Sequence, residues 1–253
     1  MSETKLIAVA TQKGGIGKST LTVLLASYLH YVKGINVAVV DCDFPQYSLF
    51  TERERELSDF NVNPYLKKMA YEMLAVNGRP AYPILHVPPE KALLEAQIYL
   101  DNETPEYLFF DLPGTINNKD VVDILSNVEH IICPMAADQF VIESSIGFCN
   151  FVKESIMSIN QGSLKTLHIL WNMVDARERS MLYKEYDYFM QDMGIDVMHT
   201  TLPNSVRFRR GGKKDGGKKK VFRSTLLPPD KTLIKGSGIV ELVEEFIKIT
   251  TEP

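Results

Sequence analysis

Gln12-Lys13-Gly14-Gly15-Ile16-Gly17-Lys18-Ser19-Thr20 follows the apolar run Leu6–Ala10 and leads at once into the amphipathic stretch Leu21–Leu29. Read in order, this is strand, glycine loop, helix. Glycines let the backbone curl tightly enough to turn successive amide N–H groups toward one anion, and the start of the helix adds its partial positive charge. In such a loop Lys18 reaches the β- and γ-phosphates of a nucleotide, and the Ser19 hydroxyl ligates Mg²⁺.

Outward from this loop, short apolar runs alternate with stretches of helical periodicity, the pattern of repeated βα units. The expected strands are Leu6–Ala10, Asn36–Asp41, Pro83–Val87, Tyr107–Asp111, His130–Pro134, Thr166–Asn172 and Val197–Leu202. The expected helices are Lys18–Lys33, Pro64–Ala75, Pro89–Asp101, Lys119–Ser126, Ile142–Ile159, Glu178–Met193 and Gly238–Ile249. Several strands are apolar throughout, as central strands covered on both faces must be. The predicted fold is α/β: a doubly wound, mostly parallel sheet with helices on both faces, in three layers. At 253 residues with 45% hydrophobic content the chain is expected to form a single domain over residues 1–253.

The standard phosphate-loop pattern places Gly where this chain has Gln12 and makes no demand for Lys13. Lys13-Gly14-Gly15-Ile16-Gly17-Lys18-Ser19-Thr20 instead resembles the deviant Walker A motif of the ParA/MinD ATPases, a branch of the P-loop NTPases. The resemblance implies ATP and Mg²⁺ as ligands, a homodimer formed on ATP binding, slow hydrolysis, and a signature lysine at Lys13. That lysine would cross the dimer interface to the partner's phosphates, as an arginine finger does in trans.

Two further strands end in carboxylates at the edge where parallel sheets bind ligands. Asp41-Cys42-Asp43-Phe44-Pro45-Gln46 resembles the family's Asp-x-Asp-Pro-Gln segment, with Phe44 inserted before Pro45. The resemblance gives Asp43 the task of orienting the attacking water beside the metal, while Asp41 reads equally as a strand-end or helix-capping residue. Tyr107-Leu108-Phe109-Phe110-Asp111-Leu112-Pro113-Gly114 resembles Walker B running into switch II. Asp111 is then expected to hold Mg²⁺ through water, and the Gly114 amide to meet the γ-phosphate. By the same likeness the Asn172 amide pairs with adenine, and Pro203, in Thr201-Leu202-Pro203-Asn204-Ser205, lines the other side of the base.

The net charge of −4 hides an uneven distribution, because Ser205–Arg223 holds nine Lys or Arg against one Asp. Glycines alternate with lysines there, so a basic flexible loop is expected at about 207–223. Arg207, Arg209, Arg210, Lys213, Lys214, Lys218, Lys219 and Lys220 can meet DNA phosphates without regard to sequence, or simply stay solvated. Phe208 and Phe222 either stack on bases or anchor the loop. The last helix carries Glu241, Glu244 and Glu245 on its polar face, which argues against a membrane role. With no long apolar run, no secretory start and three scattered cysteines, the expected place is the cytoplasm, on the nucleoid if DNA is bound.

Ser27-Tyr28-Leu29-His30-Tyr31, the segment from Asp41 to Gln46 and Arg53-Glu54-Arg55-Glu56 are similar to ParA-like proteins of bacterial conjugative transposons. That likeness implies DNA segregation or transfer, with a ParB-like or transfer-machinery protein as partner. The alternatives are a small-molecule ligase or kinase on a related scaffold, and a DNA-inert adaptor that uses ATP to recruit a protein. Glu52–Asp59 also reads as a charged, solvated helix.

Overall fold

The computed structural model describes residues 3–158, 163–175, 177, 181–209, 213–215 and 218–251. Seven parallel strands form one sheet: β1 (Lys5–Val9), β2 (Val37–Asp41), β3 (Ile84–His86), β4 (Tyr107–Asp111), β5 (His130–Met135), β6 (Thr166–Trp171) and β7 (Asp196–Val197). Their spatial order is β3-β2-β4-β1-β5-β6-β7. Strand β1, which feeds the glycine loop, is therefore central, paired with β4 on one side and β5 on the other.

The period of two along β1 divides the core. Ile7 and Val9 face one cluster with α1 (Lys18–Ser27) and the final helix, while Ala8 and Ala10 face another with Leu125 and Phe148. Helices on both faces explain why β2, β4 and β5 are buried at every position. The expected three-layer, doubly wound sheet is the observed one.

Helix α1 continues through a π-helical turn, Tyr28–Lys33, and ends at Gly34, whose φ of 73° suits a residue without Cβ. Next come α2 (Ser48–Val62), α3 (Pro64–Asn77), α4 (Pro89–Leu100), α5 (Lys119–Asn127), α6 (Gln139–Val152), α7 (Met181–Asp192), α8 (Lys231–Ile234) and α9 (Ile239–Thr251). Helix α6 starts before the expected Ile142 because Asp138 caps it, accepting from the Val141 amide at 3.1 Å. The expected strand Val197–Leu202 shortens to two residues. Its end turns instead toward β6, where the Leu202 amide donates to the Trp171 carbonyl at 2.9 Å.

Helix α2 is longer than the charged stretch Glu52–Asp59 that foreshadowed it, and part of it is not solvated. Arg53 donates to the carbonyls of Tyr82 and Thr225, each at 3.0 Å, and Glu56 accepts from the Thr225 amide at 2.8 Å. The basic segment, expected as a flexible loop, carries a short antiparallel hairpin, β8 (Lys213–Asp215) against β9 (Lys218–Lys220). Phe222 is buried after it, with the Phe208 ring 5.1 Å away, so both aromatics anchor the segment. Among the described residues no helix is long and apolar enough to cross a membrane.

Candidate nucleotide and metal site

Strand β1 ends with the Ala10 amide bonded to the Ile132 carbonyl at 3.0 Å, and the chain then loops through residues 11–17 into α1. Gly15 and Gly17 have φ of 75° and 93°. These left-handed conformations cost a residue with a Cβ on the order of 1–2 kcal/mol, so glycine is favoured here on physical grounds. They aim the first turn of α1, whose amides have no partner four residues back, into the mouth of the loop.

The two lysines behave differently. Lys13 is exposed. Lys18 is partly buried and its Nζ donates to the Lys13 carbonyl at 3.4 Å. Burial pulls the Lys18 pKa down, and the nearby Asp111, Asp43 and Cys133 oppose that shift. Gly114 packs against the same point: a Cβ there would lie 3.3 Å from Lys18 Nζ and 3.4 Å from the Gly14 amide nitrogen. The segment after β4 thus closes on the phosphate loop, where a Cβ would press on the Lys18 ammonium.

Parallel register sets Asp41 and Asp111 side by side at the carboxyl edge of the sheet. Their environments then separate them. Asp41 Oδ2 accepts the amides of Leu49 at 2.9 Å and Phe50 at 3.0 Å, so its carboxylate holds the N-terminus of α2. Asp111 is fully buried, and its Oδ1 accepts the Thr22 hydroxyl at 3.4 Å. Burial pushes its pKa up to about 7; the Ser19 hydroxyl and Lys18 oppose this, and the charges of Asp41 and Asp43 add to it. Asp43 lies at the half-buried mouth, its Oδ2 accepting from Ser48 at 3.4 Å, with burial raising its pKa and Lys18 opposing. The inserted Phe44 swings outward, 56% exposed, so the extra residue does not displace Asp43 from the edge.

A divalent ion fits these residues. Asp111 Oδ2 is buried without a hydrogen-bond partner among the described residues, and the hydroxyl of Ser19 acts on the same carboxylate. A carboxylate with a hydroxyl is the hard oxygen set that Mg²⁺ prefers when water and phosphate complete its shell. Among the described residues no three His, Cys, Asp or Glu gather into a metal site, here or elsewhere, so an ion at Asp111 would depend on the hydroxyl, water and phosphate for the rest of its shell.

Beside the loop is a cavity of about 310 Å³ lined by Gly17, Thr20, Asn172, Pro203, Phe208 and Arg223, among others. Asn172 is 6% exposed, and its amide nitrogen donates to the Ile16 carbonyl at 2.8 Å while its oxygen accepts the Met173 amide at 2.9 Å. One N–H and one lone pair of that amide remain, the complement that an adenine edge requires. Pro203 is positioned across from it by a parallel bridge to Val174. All the expected site residues from the loop, both switch-like segments and the base side therefore meet at one sheet edge.

Sequence reasoning missed Arg223 as a site residue and counted it only as charge. Its Nη1 donates to Thr20 Oγ1 at 2.9 Å and its Nε to Glu52 Oε1 at 2.8 Å. Only the chain's return past Phe222 brings it there, and no spacing in the sequence announces that. Of the basic residues expected at DNA, Arg207 donates to the carbonyls of Leu233 and Lys235, at 2.6 and 3.1 Å, and so is engaged within the fold. Lys213, Lys214, Lys218, Lys219 and Lys220 lie on the hairpin strands, Arg209 ends the turn before them, and Arg210 lies outside the described residues.

A family model described as the CobQ/CobB/MinD/ParA nucleotide binding domain matches residues 7–216. The chromosome-partitioning ATPase Soj of Thermus thermophilus is 27% identical over 217 residues, which cover 81% of this chain and 84% of that protein. Among solved structures, a plasmid partition protein from Borrelia burgdorferi superposes with a TM-score of 0.60 at 16% identity, covering 98% of this chain and 99% of that one. The pNOB8 ParA bound to nonspecific DNA superposes with a TM-score of 0.58 at 16% identity, with 98% of each chain covered.

Proposed function

This chain belongs to the CobQ/CobB/MinD/ParA nucleotide-binding family, and we propose that it works as a ParA-type switch that dimerises on Mg-ATP, hydrolyses it slowly and binds DNA without sequence preference while dimeric. The phosphates rest on the amides from Gly14 to Thr20, with Lys18 neutralising them and the Gly114 amide on the γ-phosphate. When Mg²⁺ is bound it screens the developing charge of phosphoryl transfer. Ser19 and Asp111 hold the ion, with Asp43 beside it. Asp43, at the mouth, orients the attacking water, and Asn172 and Pro203 take the adenine.

The observation that carries the dimer is the placement of Lys13. It is exposed on the rim beside Gly114 and a 70% exposed Phe140, and all three line an open cavity of about 550 Å³ outside the base pocket. A second copy docked on this face would bring its own Lys13 toward the first copy's phosphates, so the γ-phosphate and the interface stabilise each other. DNA contact draws on the basic hairpin, where each lysine meeting a phosphate releases counterions. The fold shared with a DNA-bound ParA and the identity to Soj support a task in DNA segregation. The likeness of the segments Ser27–Tyr31, Asp41–Gln46 and Arg53–Glu56 to ParA-like proteins of conjugative transposons supports a plasmid or conjugative element as the cargo, with a ParB-like or transfer-machinery protein as partner.

The test is ATPase turnover with and without plasmid DNA across a salt series. Slow turnover with ATP-dependent, salt-sensitive DNA binding is expected. Fast turnover indifferent to DNA would instead indicate a small-molecule ligase or kinase, and absent DNA binding at low salt an adaptor.

A further inference from the structure

Arg223 joins three parts of the chain that lie far apart in sequence. Its Nη1 reaches Thr20 on the first turn of α1 at 2.9 Å and the Phe208 carbonyl at 3.5 Å, while its Nε bonds Glu52 of α2 at 2.8 Å. The Arg223 side chain is 23% exposed, and the residue lines both the 310 Å³ base cavity and a polar cavity of about 710 Å³ between α1 and α2.

The bonds on either side make this a connected unit. Asp41, two residues from Asp43, holds the start of α2. Arg53 and Glu56, one turn along α2, hold Thr225. Arg223 itself is three residues beyond the end of β9, with Val221 and Phe222 buried between them.

We propose that Arg223 is the positioning residue through which an occupied phosphate loop sets the arrangement of the basic segment. A phosphate beside Thr20 is a stronger acceptor for the guanidinium than a hydroxyl or a backbone carbonyl, because the bond is charge-assisted at both ends. Drawing the fork toward that anion strains its 3.5 Å bond to the Phe208 carbonyl and, through the Glu52 ion pair, pulls on α2. Phe208 is the near edge of the basic segment. The coupling rests on the nucleotide reading above, and its link to DNA on the DNA reading.

Amide hydrogen exchange of the full chain, with and without Mg-AMPPNP, tests this. In the natural protein the nucleotide is expected to protect residues 14–20 and to change exchange at 206–209 and 218–220. In Arg223→Gln the loop protection persists and the change in the basic segment is lost. Arg223→Lys keeps the charge but cannot hold Glu52, Thr20 and Phe208 together, and gives the same loss. Survival of the response in either variant, or its absence from the natural protein, overturns the proposal. Plasmid binding measured on the same samples separates the two readings: a natural protein that shows the exchange response yet binds no DNA removes the DNA role and leaves the coupling standing.

Discussion

The ammonium of Lys18 donates to the backbone carbonyl of Lys13 at 3.4 Å, so the two lysines of the phosphate loop are tied together through main chain while their charges point to different places. Lys18 is turned inward toward Asp111 and Asp43, and Lys13 is left on the rim. Their substitutions should therefore separate binding from assembly. Lys18→Ala removes charge-assisted bonds to phosphate, a loss of about 1.5–3 kcal/mol or more, and ATP affinity falls at least tenfold. Lys13→Ala leaves the affinity of the single chain near that of the natural protein and abolishes ATP-induced dimers. Fluorescent-nucleotide titration and sedimentation read the two effects, and a Lys13→Ala protein that still dimerises would remove the in-trans role.

Gly17→Ala should damage fold and site together. The new Cβ would stand 2.9 Å from Asn172 Nδ2 at a φ of 93°, so it both strains the loop and pushes away the amide assigned to adenine. The backbone term alone costs about 1–2 kcal/mol, which for a domain of this size lowers Tm by roughly 2–8 °C. Calorimetry checks the first effect and ATP titration the second. An alanine variant with unchanged melting and unchanged affinity would mean that the loop does not hold this conformation in solution.

Asp43→Ala should bind and dimerise yet hydrolyse poorly. Asp43 stands at the mouth, bonded to Ser48, whereas Asp41 is committed to the α2 amides and Asp111 is buried behind Ser19 and Thr22. Loss of a water-orienting carboxylate typically costs about 10²–10⁴ in rate. The expected outcome is an ATP-trapped dimer, seen as persistent dimer in sedimentation with turnover near background. Turnover within a fewfold of the natural protein would move the role elsewhere.

What was legible in the sequence follows from how local each determinant is. The glycine loop, the apolar strands and the carboxylates that end them are short-range patterns, and parallel pairing then brings those strand ends to one edge. Helix α2 was only half legible because its N-terminal anchor is Asp41, eight residues away from Leu49 and in another element. Arg53, Glu56 and Arg223 read as surface charge, because nothing nearby in the chain reveals Thr225, Glu52 or Thr20 as their partners. The end of the expected seventh strand failed for a similar reason, its Leu202 amide being claimed by Trp171 across the sheet edge.

Acid should loosen the sheet through His130. This side chain is 4% exposed at the start of β5; Nδ1 pairs with Thr166 Oγ1 at 2.9 Å, and Nε2 is without a partner among the described residues. Burial holds its pKa at about 4, below the ordinary 6.5, with Glu129 opposing and Lys165, Lys5 and His168 contributing. Between those values the unfolded chain binds the proton and the folded one does not. Stability is therefore full above pH 6.5 and falls as pH drops toward 4, by up to about 3 kcal/mol. His130→Asn, which can keep the Thr166 bond, should flatten part of that slope in urea titrations at pH 4.5 and 7. An equal slope in both proteins would assign the acid sensitivity to other groups.

Removing the hairpin lysines should lower the salt dependence of DNA binding by a countable amount. Arg207 and Arg223 spend their guanidinium groups on internal acceptors, so an external phosphate must compete for them. Lys218, Lys219 and Lys220 occupy successive positions of β9, ahead of the buried Val221 and Phe222 that fix where that strand emerges. If all three meet DNA phosphates, replacing them with alanine lowers the slope of log affinity against log salt by about 0.9 for each contact, roughly 3 in total. Affinity at low salt falls by a similar factor on any DNA sequence, since phosphates carry no base information. Binding measured with Mg-ATP on two unrelated duplexes over a salt series checks both statements. A triple variant whose slope matches the natural protein would show that the hairpin is solvated charge and that DNA, if bound, is met by another face.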